Sequence, residues 1–533
     1  MPESTETPMN RIVIVGGGSA GWLTAGLLAA ECGGAGGQGI SITLVESPDV
    51  RSIGVGEGTW PTMRGSLQKI GMSETQFVLE CSAAFKQGTR FVGWVTGQDG
   101  DYYHHPFTAP VGYTGLNLVP YWQPESGRVT FVDAVSPQGY LCDRGLAPKQ
   151  ATTPEFAAVA NYGYHLDAGK FAELLQRHCT STLGVRHVLD HVTAINGGPG
   201  GDIASLSTAT SGDIAGDLFI DCTGLAALLI GKHYGIPFID KRHILFNDSA
   251  LALQVPYPAE DSPIASQTIS TARAAGWIWD IGLTTRRGIG YTFSSQHTTD
   301  AEAEAVLRDY VGRTSVADTD ALEPRKISFR PGHRKEFWHR NCVAVGMSAG
   351  FLEPLEASAL VMIELAGRMI GEELPATRAE MDVVARRYNE KFLYRWDRIV
   401  DFLKLHYVLS RRNDSDYWAV NRSPESVPDS LCDLLRVWKH RVPWHNDFSQ
   451  RDEVFSSASY QYVLYGMGFA TQARNGLRRE DDAATARRLF AENRDRAGKF
   501  LRNLPENRAL LAHIVKHGLP GATIGESASP ASD

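Results

Sequence analysis

The feature that most constrains this chain is a short strand that runs straight into a glycine turn and a helix. Residues 11–15 (RIVIV) are a β-branched run, GGGSAG follows at once, and WLTAGLLAA continues with residues suited to a buried helix. Gly16, Gly18 and Gly21 hold the spacing G-x-G-x-x-G in this strand-turn-helix context. The first glycine permits the tight turn, the second lets backbone approach a pyrophosphate, and the third allows close helix packing. Ser19 and Ala20 stand at the helix start, where N–H groups and the helix dipole favour phosphate. The expected fold is therefore α/β, a doubly wound Rossmann-like body.

Residues 40–46 (ISITLVE) form the next expected strand, and Glu46 at its end is an acid placed for adenosine ribose hydroxyls. It stands farther from Gly16 than the usual roughly 20 residues, and the intervening ECGGAGGQG accounts for the excess. The motif alone serves FAD and NAD alike. DCTG at 221–224, with Asp221, and VAVGMSAG at 343–350, with Gly346, favour FAD. Flavoproteins recruit such late segments to the isoalloxazine. GGPGGD at 197–202 lacks a preceding strand and a following helix and reads as a loop. With no second nucleotide site, reduction of the flavin has to come from elsewhere.

Along the chain, 217–224 and 341–346 read as core strands, and 276–295 as a hairpin of GWIWDIGL and RRGIGYTFSS. Residues 73–86 read as a helix, with Ser73 and Gln76 in capping-box positions. The stretch 100–160 is rich in Pro, Gly and aromatics and reads as long loops over a site. A further helix is expected from about Glu356, and after about 378 the periodicity is mostly helical. This gives an α/β nucleotide-binding body at 1–390, a mainly helical part at 391–518, and a disordered tail at 519–533.

A formal charge of −8 over 533 residues, with no dense Lys/Arg run, excludes a globally basic nucleic-acid binder. Seven cysteines without a CxxC pair, and no histidine cluster at zinc spacing, argue against a disulfide framework or a structural metal. They fit a reducing compartment. The start, MPESTETPMN, is neither a signal nor a transit peptide. No apolar run reaches the roughly 18 residues of a membrane helix. A soluble, cytoplasmic protein is expected.

Three segments carry candidate chemistry. Trp277 and Trp279 in GWIWDIGL are two apart on a strand, so both rings share a face. Lys86 ends CSAAFK, expected on the helix from Ser73, and Glu356 stands in FLEPLEAS at the expected helix start. Taken singly these read as core packing, a solvated lysine and an acid favoured by a helix dipole. Together with VGEGTWP (55–61), YGYHLD (162–167) and RGIGYTFSS (287–295), they resemble the flavin-dependent tryptophan halogenase family. The likeness runs from residue 11 to about 295, resumes near 341–360 and continues faintly to 468. Gly282 departs from the family motif, which ends in Pro.

The resemblance implies an FADH2-dependent halogenase that uses O2 and chloride or bromide on an indole-type aromatic, with 1–390 an FAD-binding body of flavin monooxygenase type and 391–518 covering the substrate. A separate NAD(P)H-dependent reductase would supply the reduced flavin, and homodimers are common in the family. Hypohalous acid would reach Lys86, which holds it by a hydrogen bond or forms a haloamine. Glu356 would orient it and take the proton from the arenium intermediate. The backbone of Ser358 and Ala359 would bind halide, where the family usually has Thr-Gly. Val55, Gly56 and Glu57 fall in the strap that gates the flavin, and the tryptophan pair would wall flavin from substrate. His105 and Phe107 would flank the aromatic ring. Tyr460, in SYQYVLYGMG (459–468), falls in the segment that grips free tryptophan by its amino-acid end. Gln461 stands where a second tyrosine is expected, which favours a simpler indole, a larger product or a tethered substrate. An aromatic hydroxylase is disfavoured by the tryptophan pair and Lys86. A non-catalytic redox sensor is disfavoured by scattered, unpaired cysteines.

Overall fold

The run RIVIV forms the strand Arg11–Val15, with its last four residues buried, as a strand covered on both faces requires. It lies parallel between Leu218–Asp221 and Ser41–Glu46, with Val15 opposite both Asp221 and Val45. Cys342–Ala344 and Arg186–Leu189 extend this sheet in parallel, and Trp338–His339 closes one edge antiparallel. Helix Ser19–Cys32 leaves the glycine turn and packs on helices Ala168–Ser181 and Ser358–Glu372. Its residues from Gly21 to Ala29 are buried without interruption, which explains an apolar run without helical alternation. The glycine turn sits at the carboxyl ends of the strands, where doubly wound sheets place ligands.

A computed structural model of the chain describes residues 8–32, 39–49, 56–315, 318–450, 452–472 and 480–521. Val55, the insertion at 33–38 and residues 522–533 of the expected tail lie outside the described residues. The chain forms two units, each assembled from three segments. The first comprises 1–81, 166–242 and 329–397, and holds the parallel sheet. The second comprises 82–165, 243–328 and 398–533.

The second unit is built on a seven-stranded sheet. Its order is Arg325–Ser328, Ser249–Pro256, Arg286–Phe293, Gly276–Gly282, Thr268–Arg273, Gly88–Val92 and Tyr102–Pro106. All neighbours are antiparallel except Thr268–Arg273 against Gly88–Val92. The expected tryptophan hairpin is its centre, with Trp279 opposite Gly290. Ile278, Ile289 and Leu253 pack on Leu307 and Val311 of helix Asp300–Thr314. From 398 onward the described structure is helical, with Asp429–Trp438, Ser457–Gly466, Glu480–Asn503 and Asn507–His517 the main helices.

Three expectations are corrected. The helix expected over 73–86 spans only Glu74–Glu80. Ser73 caps it by accepting the Gln76 N–H, but the Gln76 side chain bonds Glu80 and no capping box closes. Ser82 turns the chain at φ 49°, and Ala84–Lys86 becomes a strand with Lys86 opposite Gly163. Residues 100–160 are loops only in part, at 107–118 and 144–160, since the stretch also holds the strand Tyr102–Pro106 and the short helices Val119–Trp122, Phe131–Val135 and Gln138–Asp143. The helix expected at Glu356 begins at Ser358 instead. Glu356 and Ala357 both have positive φ, 65° and 54°, which a helical turn does not admit.

None of the seven cysteines is disulfide-bonded. Among the described residues there is no metal-holding cluster, and no helix is long and apolar enough to cross a membrane.

Candidate functional site

The first unit places the nucleotide residues around one turn. Gly16 has φ +112°, and a Cβ there would lie 2.3 Å from the Cys222 carbonyl oxygen. A Cβ on Gly21 would lie 1.9 Å from the Gly16 oxygen. Both positions therefore demand glycine for the fold itself. Gly18 differs, because among the described residues no atom beyond its chain neighbours stands within 4 Å of its ideal Cβ. That open approach at a helix start is what a pyrophosphate needs, so the residues present fit a dinucleotide. Ser19 donates its hydroxyl to Ala168 O at 3.3 Å. Gly346, at φ +73°, brings the late turn so close to the helix start that a Cβ would meet Ala20 Cβ at 2.8 Å.

Two acids are more committed than their sequence positions suggest. Glu46 ends its strand as expected, but its carboxylate pairs with His187 Nε2 at 2.7 Å and lies against Gly17. Burial pushes this carboxyl up, and His187 opposes the shift. Asp221 is fully buried. It accepts from Thr223 N at 3.0 Å, Thr223 Oγ1 at 2.6 Å, Leu229 N at 2.8 Å and Ile230 N at 2.9 Å. Its carboxylate thus braces the turn after the strand, and any service to a cofactor passes through that turn.

Gly56 and Glu57 lie on the short strand Gly56–Gly58, where burial pushes the Glu57 carboxyl up to about 7. Three residues on, Trp60 donates its indole N–H to the Glu356 carbonyl at 2.7 Å. The Thr62 and Ser66 hydroxyls reach Glu364 of helix Ser358–Glu372 at 2.9 and 2.5 Å. Burial pushes Glu364 up to about 7 despite these donors and nearby Arg368. Ser358 opens this helix buried, and Ala359 follows it exposed.

In the second unit Lys86 is 1% exposed, on a strand, with its ammonium 5.3 Å from the Phe107 ring centroid. His165 stands opposite Ala84 in the ladder, so it shares a face with Lys86. Burial and the Lys86 charge hold His165 well below its ordinary value, as neutral imidazole, and its Nε2 meets Thr268 Oγ1 at 2.8 Å. The rings of Trp277 and Trp279 lie 6.3 Å apart on one face, as their spacing requires. Trp277 is buried, whereas Trp279 is partly exposed and lies flat over Gly290. At Gly282 a side chain would meet Ile264 Cγ2 at 2.8 Å and the Tyr257 hydroxyl at 2.9 Å. Local crowding therefore explains glycine at this position.

His105 and Tyr460 converge on Phe402, at 5.6 and 4.9 Å between ring centroids. Trp438 and Phe448 complete an aromatic cluster 5.1 and 4.9 Å from Tyr460. Gln461 is buried and donates one amide N–H to Pro443 O at 2.8 Å. Sequence reasoning missed Trp60, Glu364, His165, Phe402, Trp438 and Phe448. His165 and Trp60 had a signal, since they lie in the YGYHLD and VGEGTWP segments already singled out, whereas the others meet their partners only through long-range contacts.

A family model described as tryptophan halogenase matches residues 11–482. Tryptophan 6-halogenase SttH of Streptomyces toxytricini is 33% identical over 523 residues, covering 94% of this chain and 97% of that protein. Among solved structures, a tryptophan halogenase from Shewanella frigidimarina NCIMB 400 superposes with a TM-score of 0.94 at 48% identity, covering 96% of this chain and 99% of that one. BrvH, a flavin-dependent halogenase from Brevundimonas sp. BAL3, superposes at 0.83 with 32% identity, over 95% and 99% of the two chains.

Proposed function

The chain belongs to the tryptophan halogenase family, and from that premise we propose a two-component enzyme that halogenates an indole-type ring with chloride or bromide and O2. When bound, reduced FAD supplies the two electrons with which O2 and halide become hypohalous acid and water. A separate NAD(P)H-dependent reductase, in the cytoplasm, provides the reduced flavin. The hydroxylase alternative has no support among these relatives, which are named as halogenases.

The chain's own residues divide the work. Gly16, Gly18 and Gly21, with Ser19 and Ala20, offer backbone to the pyrophosphate, Glu46 stands at the ribose end, and Gly346 brings the late turn to the flavin. Gly56 and Glu57 form the described part of the strap. The N–H groups of Ser358 and Ala359 hold halide, since a helix start favours an anion. Lys86 receives hypohalous acid, by hydrogen bond or as a haloamine. Glu356 takes the proton released when the ring is substituted. Trp279, the accessible member of the pair, shields the ring from direct oxygen transfer, with Trp277 behind it. Phe107 faces Lys86, and the cluster of His105 and Tyr460 receives the aromatic ring. Gln461 stands where the family has a second tyrosine to grip free tryptophan, so simpler indoles stand beside tryptophan as substrates.

The observation that carries this reading is Lys86, a buried lysine on a rigid strand against an aromatic ring and a neutral histidine. Replacing Lys86 by Ala is expected to lower halogenation at least about 100-fold, the scale of a lost proton-transfer group, while flavin reoxidation continues. A variant that halogenates normally would refute the role.

A further inference from the structure

The turn that precedes helix Ser358–Glu372 is unusual in the first unit. Glu356 and Ala357 both adopt left-handed φ, at 65° and 54°, which side chains other than glycine disfavour. Such a pair persists only where its surroundings hold it. The Ala357 N–H is held by Pro354 O at 3.0 Å. The Glu356 carbonyl is held by the Trp60 indole N–H at 2.7 Å, across 296 residues of sequence. The same segment grips the helix again farther along, where Thr62 and Ser66 reach Glu364 and the Arg368 guanidinium donates to Thr62 O at 3.3 Å. Residues 60–66 therefore fasten both the strained turn and the helix that follows it.

We infer that Trp60 is a positioning residue: its indole N–H fixes the Glu356 peptide in the left-handed form that presents the Ser358 and Ala359 N–H groups to halide. The inference rests on the proposed halogenase reading and deepens it. Trp60 touches no reacting atom, and it acts through the peptide plane it holds. It also follows Glu57 by three residues, so the strap and the halide turn share one hydrogen bond. Without this donor the Glu356 peptide relaxes toward commoner backbone angles, and the two N–H groups lose their common direction.

Trp60→Phe removes the donor and keeps an aromatic ring, and Trp60→His returns an N–H on a smaller ring. Chloride binding to the FAD-loaded protein is read by chloride NMR line broadening, and turnover gives the bromide KM and kcat. Trp60→Phe is expected to weaken chloride binding and raise the bromide KM by about 3- to 10-fold, the scale of one hydrogen bond, with FAD affinity within about twofold. Trp60→His is expected to recover part of the loss. Unchanged halide constants in Trp60→Phe would overturn the inference. So would halide constants that move only in step with FAD affinity and melting temperature, or a stable Trp60→His no better than Trp60→Phe. If the wild type binds chloride yet makes no halogenated product, the proposed function fails while line broadening still decides the role of Trp60. If the wild type binds no chloride, both fall.

Discussion

Asp221→Asn separates a brace from a cofactor ligand. The Asp221 carboxylate accepts three backbone N–H groups, from Thr223, Leu229 and Ile230, and the Thr223 hydroxyl, all between 2.6 and 3.0 Å. The amide can be oriented two ways. One turns its NH2 toward Leu229 and Ile230 and loses two N–H acceptors. The other loses the acceptor for Thr223. Hydrogen bonds to a charged group contribute about 1.5–3 kcal/mol each, so the substitution costs about 3 kcal/mol. With about 2–4 °C of melting temperature per kcal/mol for a body of this size, the midpoint falls by about 6–12 °C. The assay is thermal unfolding of the FAD-free protein, followed by FAD titration of the variant below its midpoint. The brace account expects the large thermal shift. A shift below about 2 °C, with FAD affinity reduced tenfold or more, would refute it and make the carboxylate a direct ligand.

Four further outcomes are expected. Gly18→Ala places a methyl in the open approach, so FAD binding is expected to weaken about tenfold or more, by at least about 1.4 kcal/mol, with the FAD-free midpoint unchanged. Gly16→Ala, whose Cβ would strike the Cys222 carbonyl at φ +112°, is expected to lower that midpoint before any ligand is added. Glu364 has its carboxyl raised from the ordinary 4.5 to about 7. Over that window the folded chain keeps a proton that the unfolded chain has released, so stability declines as pH rises, by about 3 kcal/mol in all. Glu364→Gln removes this dependence, and the midpoint of the wild type relative to the variant is expected to fall between about pH 4.5 and about pH 7. A difference that stays flat, or rises, contradicts the placement of Glu364. Gly290→Ala, whose Cβ would lie 2.0 Å from Trp279 Cζ2, is expected to displace that ring and raise the fraction of flavin oxidation that yields no product. An unchanged ratio of product to oxidised flavin counts against the shielding role.

The glycine turn and the tryptophan hairpin were legible because each is local. Arg11–Val15 and the glycines that follow need no distant partner to declare themselves, and 276–295 carries both strands of its hairpin in one stretch. Lys86 lies on a strand where a helix is expected. Ser73 to Lys86 has helical character, but Ser82 at φ 49° ends it and pairing with Gly163 makes a strand. Nothing within the segment announces that partner. The helix expected from Glu356 starts two residues later because an LEAS stretch does not reveal two successive left-handed residues. Asp221 lies in a late segment expected at the flavin, whereas its hydrogen bonds go to Thr223, Leu229 and Ile230, contacts that the DCTG stretch alone does not reveal. The same long-range logic hid Trp60, whose donor role depends on a carbonyl 296 residues away.

The central claim is that this chain transfers halogen, and not oxygen, to an indole ring. The direct measurement combines the protein with FAD, a flavin reductase, NADH and bromide, supplies indole in one reaction and tryptophan in another, and reads the products by mass spectrometry. The account expects a monobrominated product showing the bromine isotope doublet. A product that gains one oxygen and no bromine, or flavin oxidation with neither substrate changed, would contradict it.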